Sequence, residues 1–548
     1  MIEENEIINL KTQCMERAID HCTQQAQGDK PLLLVSGDMS GIQPFLYQIV
    51  SSKAAKNLKG RSCYIDLLGK AVVESLLRAL ALNRDHVVCE SGGTFVLLAP
   101  NTDDTIAALD NAVRFIEKKI FETHGTALSV AIGSVEITAA EARGGTTTLA
   151  QRWSEVFAKR EAKKNAKCAS VIVAQGGYER FFEPSPVTGD KTDAITGEDI
   201  ADGGENVKDV GTVTKINKMI FDLGEQLRNG CVPQLIDNNY QGDDFVIEPA
   251  NLGIKYRLIK GEATQRVLTF EKMCENKDAL ERLGVLRMDV DNLGSKFQEY
   301  ARTQSLAAYS ALSHELDNFF KSDVSKMCDK HECYLLYGGG DDLFLVGEWR
   351  KVLMLAAEIQ AEFKKWAAQR KGDWSLSAGV AIVKAKYPII EGAQESGEEE
   401  EKAKSHSCDG MTKNSISLMG TPLNWDNEFE ALRSLKDKMV GLLCDSESLP
   451  KSFLNKVMIH AGKAAIKNHK VTHVSIYWHL SYDIKRAMER AKGKEAVLNL
   501  LEQCRTDICT PGNTLDGVNI VTDYHLLELW ALACRWTELE FRSIKENQ

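Results

Sequence analysis

Leu335-Leu336-Tyr337-Gly338-Gly339-Gly340-Asp341-Asp342-Leu343-Phe344-Leu345-Val346 reads as two short apolar strands joined by glycines, with a pair of carboxylates at the tip. Adjacent acids in a loop can also form a solvated turn or a helix cap. Strands this apolar are expected inside, however, and a buried charge is costly unless it is paired or holds a metal. Glycines let the backbone turn tightly and let a phosphate approach closely. The stretch is therefore read as a metal-carboxylate hairpin.

Such a hairpin needs a partner acid. Leu283-Gly284-Val285-Leu286-Arg287-Met288-Asp289-Val290-Asp291-Asn292-Leu293-Gly294 is a second apolar strand ending in acids, with Asp289 and Asp291 on one face at period two. Laid beside the hairpin, this strand lets Asp289 converge with Asp341 and Asp342 on Mg²⁺ or Mn²⁺. These ions take oxygen ligands and are often held by one or two carboxylates plus substrate phosphates. A pair of such ions can activate a hydroxyl and steady a leaving pyrophosphate. The two motifs lie about 50 residues apart with a helix-sized segment between, the pattern of a palm-type cyclase or polymerase site.

The same order of elements occurs earlier in the chain. Strand, helix, two strands, helix and strand run from Pro31 to about residue 138 and again from 283 to 384. Asp38 to Gly92 spans 54 residues and Asp289 to Gly339 spans 50; Gly92 to Gly133 spans 41 and Gly339 to Gly379 spans 40. This is a tandem repeat of one ferredoxin-like unit. The first copy has Gly92-Gly93-Thr94-Phe95 where the second has Gly339-Gly340-Asp341-Asp342, so only the second keeps the acids. The expected architecture is α+β, with two tandem ferredoxin-like palm domains, an inter-palm insertion and a C-terminal helical domain. Its divisions are an N-terminal helix (1–29), a degenerate first palm (30–180), an inter-palm domain (181–272), a second palm (273–426) and a helical domain (427–548).

The 548 residues carry a net charge of −11, and a stand-alone nucleic-acid binder is usually basic, so nucleic-acid contact here is expected to be local or mediated by partners. No apolar run reaches membrane-spanning length and the first residues are acidic, which points to a cytoplasmic protein with no membrane partner. The cysteines form no CxxC pair, as expected of reduced, buried thiols. Lys53, Lys56, Lys59 and Arg61 form a basic stretch, either a solvated face or a surface for phosphates. The acidic run Glu395 to Glu401 reads as a solvated loop or helix start. The following Lys404 and Lys413 are surface lysines or triphosphate contacts. Residues 451–494 are basic, and Tyr477, Trp478 and Tyr482 within them read as core rather than as base-stacking platforms.

Taken together, Gly37-Asp38-Met39-Ser40-Gly41-Ile42-Gln43-Pro44-Phe45, the Ser52-Lys53-Ala54 to Gly60-Arg61-Ser62 stretch, Asp289-Val290-Asp291-Asn292-Leu293-Gly294 and the Gly-Gly-Asp-Asp at 339–342 resemble the large signature subunit of type III CRISPR effector complexes. The resemblance implies two palms, a helical tail that contacts a small subunit, and target-RNA-activated synthesis of cyclic oligoadenylate from ATP. It implies partner subunits, guide RNA and target RNA. By the same resemblance, Asp289, Val290, Asp341 and Asp342 hold the metal. Asn292, Leu293, Gly294, Gly339, Gly340, Lys404 and Lys413 face the donor nucleotide, and Ser40, Gly41, Lys53 and Arg61 the acceptor. A second reading has S-adenosylmethionine as the acceptor of AMP, a third makes the chain an RNA-binding scaffold without chemistry, and a fourth makes it a stand-alone cyclase of a cyclic dinucleotide.

Two departures from the family pattern set further expectations. Only about thirty residues precede the first palm, and Asp20-His21 and Asp85-His86 reverse the histidine–aspartate order, so no DNase activity is expected. Residues 183–211 contain no cysteine, so no zinc is expected between the palms; the Thr188-Gly189 and Thr196-Gly197 echo reads as a zinc-free remnant.

Overall fold

The computed structural model describes residues 4–545 apart from 50–53, 145–146, 175, 183–191, 201–203, 237–239, 241, 243, 262–268, 275–279, 341, 371, 409–410, 445–448, 465–474, 510–513, 516–517 and 520–525. Strand alternation decides its architecture. In β1 (Leu32–Ser40), Leu33 and Val35 enter one core while Leu32 and Leu34 enter another. With both faces covered, its first four residues, Leu32 to Val35, are all apolar. It sits inside an antiparallel sheet of order β2-β3-β1-β4, with β2 (Val87–Ser91), β3 (Thr94–Pro100) and β4 (Ser129–Ile137). Between these strands run α2 (Ile42–Tyr47), α3 (Ala54–Ala79) and α4 (Asp103–His124); α1 (Glu4–Gln25) and α5 (Thr147–Asn165) cover the other face.

After α6 (Lys215–Arg228) and a three-stranded sheet of order β5-β7-β6, made of β5 (Cys231–Ile236), β6 (Val246–Ile247) and β7 (Lys255–Lys260), the plan repeats. β8 (Arg282–Val290) lies between β10 (Asp342–Glu348) and β11 (Leu376–Lys384), with β9 (Tyr334–Gly339) outside β10. This sheet is larger than the sequence suggests. β12 (Ser415–Leu418) pairs in parallel with β11, and β13 (Thr421–Asn424) pairs with β12. The single helix expected between the first two strands of the second palm is broken into α7 (Leu293–Thr303), α8 (Leu306–Asn318), a π-turn at Phe319–Asp323 and α9 (Val324–Lys330). α10 (Trp349–Ala368) follows β10, and α11 (Ile389–Ser405) lies over the face opposite α8 and α10. The acidic run is therefore helical, with Glu395, Glu398 and Glu401 exposed and Glu400 buried.

A helical region closes the chain, with α12 (Glu430–Cys444), α13 (Lys451–Lys463), α14 (Ser475–Arg490), α15 (Glu495–Cys509) and α16 (Leu526–Lys545) sharing one apolar core with the second sheet. The fold is α+β, two palms and a helical C-terminal region. One expectation fails inside that region. Tyr477 packs against the core, but Trp478 is 74% exposed and Tyr482 60%. Among the described residues no helix is long and apolar enough to cross a membrane.

The palms superpose by register, and the register corrects the alignment of their hairpins. Ser91 pairs with Thr94, and Gly339 with Asp342. Asp342 therefore takes the place of Thr94, not of Phe95, and Gly340 the place of Gly92. Both glycines have positive φ, +61° and +69°, as a two-residue hairpin turn of the primed type demands.

The basic stretch also differs from its phosphate-binding reading. It is the start of α3, and Lys53 lies outside the described residues. Lys56 pairs with Glu225 and sits over the Phe221 ring. Arg61 is buried, donates to Asn217 Oδ1 at 2.7 Å and lies 4.7 Å above the Phe45 ring. Arg61 is a structural residue, and its charge is spent inside the first palm. Beside it, His124 shares a 2.7 Å hydrogen bond with the Tyr64 hydroxyl, and burial plus the Arg61 charge push its pKa down to about 4. Asn217 in turn donates to Asp193, which also accepts from the backbone N–H of Ile195, Thr196 and Thr214. Burial opposes the Asp193 charge, but these bonds hold its carboxyl below the usual range. A carboxylate thus closes this turn between the palms; Thr188 and Gly189 lie outside the described residues.

Two predictions follow from this packing. Gly60 and Gly224 bring α3 and α6 together: a Cβ on Gly60 would lie 2.3 Å from the Ile220 carbonyl oxygen. Gly60→Leu is expected to lower stability by about 1–3 kcal/mol, read from urea unfolding. His124 is neutral in the fold, so its folded pKa lies below the ordinary 6.5. Its stabilising contribution is present above about pH 6.5 and is lost as pH falls toward 4. The stability difference between the wild type and His124→Gln should shrink over that window in urea titrations at stepped pH.

Candidate active site at the seam of the two palms

Asp289 sits one residue before the end of β8, opposite Asp342 on β10 and Ser377 on β11. Strand alternation turns it, with Arg287, to the face that α11 covers. The helix comes close because β11 carries Gly379 there: a Cβ would lie 2.1 Å from the Glu400 nitrogen. Glu400 and Lys404, one turn apart on α11, are thereby pressed onto the acids. The carboxylate oxygens of Asp289, Asp342 and Glu400 lie within 4.8 Å of one another.

Lys404 bonds to Asp289 and, at 2.7 Å, to Glu400. Burial disfavours its ammonium, yet Asp289 and Glu400 hold its pKa above the usual lysine range. Arg287 lies 3.4 Å from Glu400. The Lys404 ammonium is held between the Asp289 and Glu400 carboxylates, and an all-oxygen donor set such as Asp289, Asp342 and Glu400 is of the kind a hard divalent ion takes. Asp341 lies outside the described residues. Val290 offers only its carbonyl, because its side chain is buried in the core on the opposite face.

Asp291 does not join the cluster. It is buried and accepts from Ser375 and Ser377, each at 2.7 Å, and from the Asn414 backbone N–H at 3.0 Å. Its work is to tie the 413–414 turn to the end of β8. That turn carries Lys413, which donates to Asn292 Oδ1 at 2.6 Å. Asn292 is left-handed, with φ +57°, and caps α7; Leu293 is partly buried, while Gly294 is exposed, with nothing within 4 Å of a built Cβ. The first turn of α7 thus presents open backbone.

The first palm supplies the other wall. Gln43 Nε2 donates to Asp342 Oδ2 at 3.2 Å, and Ser91 Oγ accepts from the Gly340 N–H at 2.8 Å. Gly92 packs on Gly339, where a Cβ would meet the Gly339 oxygen at 3.0 Å. Ser40 ends β1, and Gly41 turns left-handed (φ +90°) against the Ala127 carbonyl, two residues from Gln43. Behind the hairpins is a cavity of about 470 Å³, lined in part by Lys59, Lys70 and Lys321 with Asp66, Glu90 and Asp317. The acid cluster is not part of its lining.

The structure therefore brings Asp289, Asp342 and Lys404 together, sets Asn292 and Lys413 side by side, and leaves Arg61 out. Glu400 and Gln43 were missed. Glu400 was hidden in a run of four glutamates; its four-residue spacing to Lys404 was the available signal. The reversed Asp-His pairs also meet. His21 Nδ1 lies 3.0 Å from His86 Nε2, while Gln25 and Asn83 occupy the outer ring nitrogens. Asp20 and Asp85 are tied to Arg143 and Arg17. The ligand atoms of His21, Cys22 and His86 lie within 4.8 Å of one another, while the two acids face arginines.

Two palms that meet at a seam carrying the Asp289–Asp342–Glu400 cluster define a tandem-palm protein. The comparisons with known proteins agree. The family described as Csm1 subunit domain B matches residues 31–175, and the second palm domain of Cas10/Cmr2 matches residues 282–417. The single-strand-specific deoxyribonuclease Cas10/Csm1 (subtype III-A) of Enterococcus italicus is 30% identical over 480 residues, covering 80% of this chain and 60% of the relative. The Streptococcus thermophilus protein of the same description is 26% identical, over 72% of this chain and 54% of the relative. Among solved structures, the apo Csm1–Csm4 cassette superposes with a TM-score of 0.66 at 19% identity, covering 90% of this chain and 72% of that one. The chain belongs to the Cas10/Csm1 family, the large signature subunits of type III CRISPR complexes. It spans a little over half the length of these two relatives.

Proposed function

We propose that the chain is the nucleotidyltransferase subunit of a type III CRISPR complex, making cyclic oligoadenylate from ATP when target RNA is bound. The observation that carries this reading is the Asp289–Asp342–Glu400 cluster, closed by Gln43 from the opposite palm. Solved Csm1–Csm4 cassettes of the same fold are described in complex with ATP, with pppApA and with the rings cA3 and cA4. Those ligands are the substrate, an intermediate and products of such a reaction.

Asp289 and Asp342, with Asp341 and the Val290 carbonyl, would hold Mg²⁺ or Mn²⁺, which supplies charge neutralisation on the donor phosphates. Lys404, released from Asp289, would turn to the donor triphosphate. Lys413 and the open first turn of α7 from Leu293 to Gly294 would meet its outer phosphates. The acceptor ATP would sit on the first palm beside Ser40 and Gly41, its 3′-oxygen in line with the donor α-phosphate. Attack forms the new phosphodiester and releases pyrophosphate. Positioning and charge stabilisation carry most of such a step.

The partners expected are the other subunits of the complex, guide RNA and target RNA. Trp478 and Tyr482, exposed within the basic stretch 451–494, support a contact surface there. Sequence specificity would come from guide pairing rather than from this chain.

In the assembled complex with ATP, Mg²⁺ and target RNA, Asp289→Asn and Asp342→Asn should each cut ring synthesis by about 10²-fold or more, with assembly intact. Mass spectrometry of the products reads the result. Undiminished adenylate rings from the Asp289→Asn, Asp342→Asn double variant would remove the assignment, as would a product that forms only when S-adenosylmethionine is added.

A further inference from the structure

A second group of ligand atoms lies outside the acid cluster. α1 carries His21 and Cys22, and the single helical turn Arg84–His86 that leads into β2 carries His86. His21 Nδ1 lies 3.0 Å from His86 Nε2, and the Cys22 thiol completes a set whose ligand atoms all lie within 4.8 Å of one another. Cys22 and His86 are buried, while His21 stands half-buried at the rim. The neighbouring acids are taken up elsewhere: Arg17 holds Asp85 at 2.7 and 3.0 Å, and Arg143 holds Asp20 at 3.2 Å.

The hydrogen bonds behind the two rings decide which nitrogens carry protons. Asn83 Oδ1 accepts from the Asp85 backbone N–H at 3.0 Å, so the atom that faces His86 Nδ1 at 2.9 Å is an acceptor. His86 Nδ1 is therefore the protonated nitrogen, and its Nε2 turns a lone pair toward His21. On the far side the Gln25 amide lies 2.9 Å from His21 Nε2. With the amide nitrogen there, the chain closes without a metal: Gln25 donates to His21, and His21 donates to His86. Turned over, the same amide accepts from His21 Nε2–H, and His21 Nδ1 then offers a second lone pair. Asn83 and Gln25 stand where the outer partners of metal-bound histidines stand.

Two imidazole nitrogens and a thiolate are ligands that zinc takes in a tetrahedron, where nitrogens at bonds of about 2.0–2.1 Å stand about 3.3 Å apart. The 3.0 Å between the rings needs roughly 0.3 Å of opening to reach that spacing. The all-oxygen cluster of Asp289, Asp342 and Glu400 suits a hard ion, and this nitrogen and sulfur set suits a softer one. Burial pushes the Cys22 thiol up to about 12, so its proton leaves only in exchange for a metal. We propose that His21, Cys22 and His86 form a zinc site, with water as the fourth ligand at the His21 rim, that clasps α1 to the turn before β2. It does not depend on the chemistry at the seam. α1 also packs on α8 of the second palm, and β2 ends at Ser91, which accepts from the Gly340 N–H. A metal here ties the N-terminal helix to the strand that supports the acid-bearing hairpin.

The test is titration of Co²⁺ into the full chain, stripped with EDTA and then dialysed. One equivalent should give the near-ultraviolet band of thiolate-to-cobalt charge transfer; Zn²⁺ should bleach it, and excess Mg²⁺ should not. Cys22→Ser should abolish the band, and His21→Gln and His86→Gln should each weaken Co²⁺ binding about tenfold or more. Cys14→Ser, on the same helix but outside the set, should leave band and affinity unchanged. A measurement on the wild-type chain needs no variant to fold: Zn²⁺, and not Mg²⁺, should slow amide hydrogen exchange in the second half of α1 several-fold. Absence of the band in the wild type, its persistence in Cys22→Ser, or exchange in α1 that Zn²⁺ leaves unchanged overturns the site.

Discussion

Everything at the seam depends on one steric allowance, a helix laid directly on a sheet at a residue without a side chain. At Gly379 the backbone of α11 comes so near that any Cβ would collide with it, and at Gly133 the backbone of α5 does the same. Only that approach brings a lysine from the helix within reach of an acid near the end of the central strand. The acids of the second palm would otherwise stand in a partly buried pocket with no compensating charge, which is unfavourable. The close approach of helix to sheet therefore comes before the chemistry: it sets which face is dry, which carboxylates converge, and where a cation can rest.

The palms are not independent bodies joined by a tether. One apolar core takes in α3 and α4 of the first palm, α6 and the small sheet after it, and one face of the second sheet through Leu283, Val285, Phe344 and Val346. The hairpin turns touch through Gly92 and Gly339, and the Tyr47 and Phe344 rings pack at a tilt across the seam with centroids 4.7 Å apart. A displacement of either hairpin is felt by Gln43 and Asp342 together, which is how an event elsewhere in an assembly could reach the acid cluster.

Much of this was legible in the residues. Period-two apolar runs and repeated glycine spacings gave both palms, and Asp289, Asp342 and Lys404 do converge. What failed did so for physical reasons. The hairpins were aligned one residue out because successive glycines look alike, and only hydrogen-bond register separates them. Arg61 was read as a phosphate ligand because a cation in a basic run looks solvated; its burial against Phe45 and Asn217 depends on α6, more than 150 residues away. Glu400 was lost in an acidic run because helix phase, not composition, decides which glutamate turns inward. Trp478 and Tyr482 show the reverse error, since helical spacing alone does not say which stripe faces the core.

The Lys404 ammonium has a consequence for the order of events. While it rests against Asp289 and Glu400, the pocket already has its positive charge, and a divalent ion arriving alone must displace a covalently tethered competitor with nothing to receive it. A nucleotide changes that balance, because its phosphates offer the lysine a new partner at the moment the carboxylates are vacated. On the proposed function, ion and nucleotide would thus be favoured as a joint arrival. Such a chain would take up metal and nucleotide together rather than metal alone.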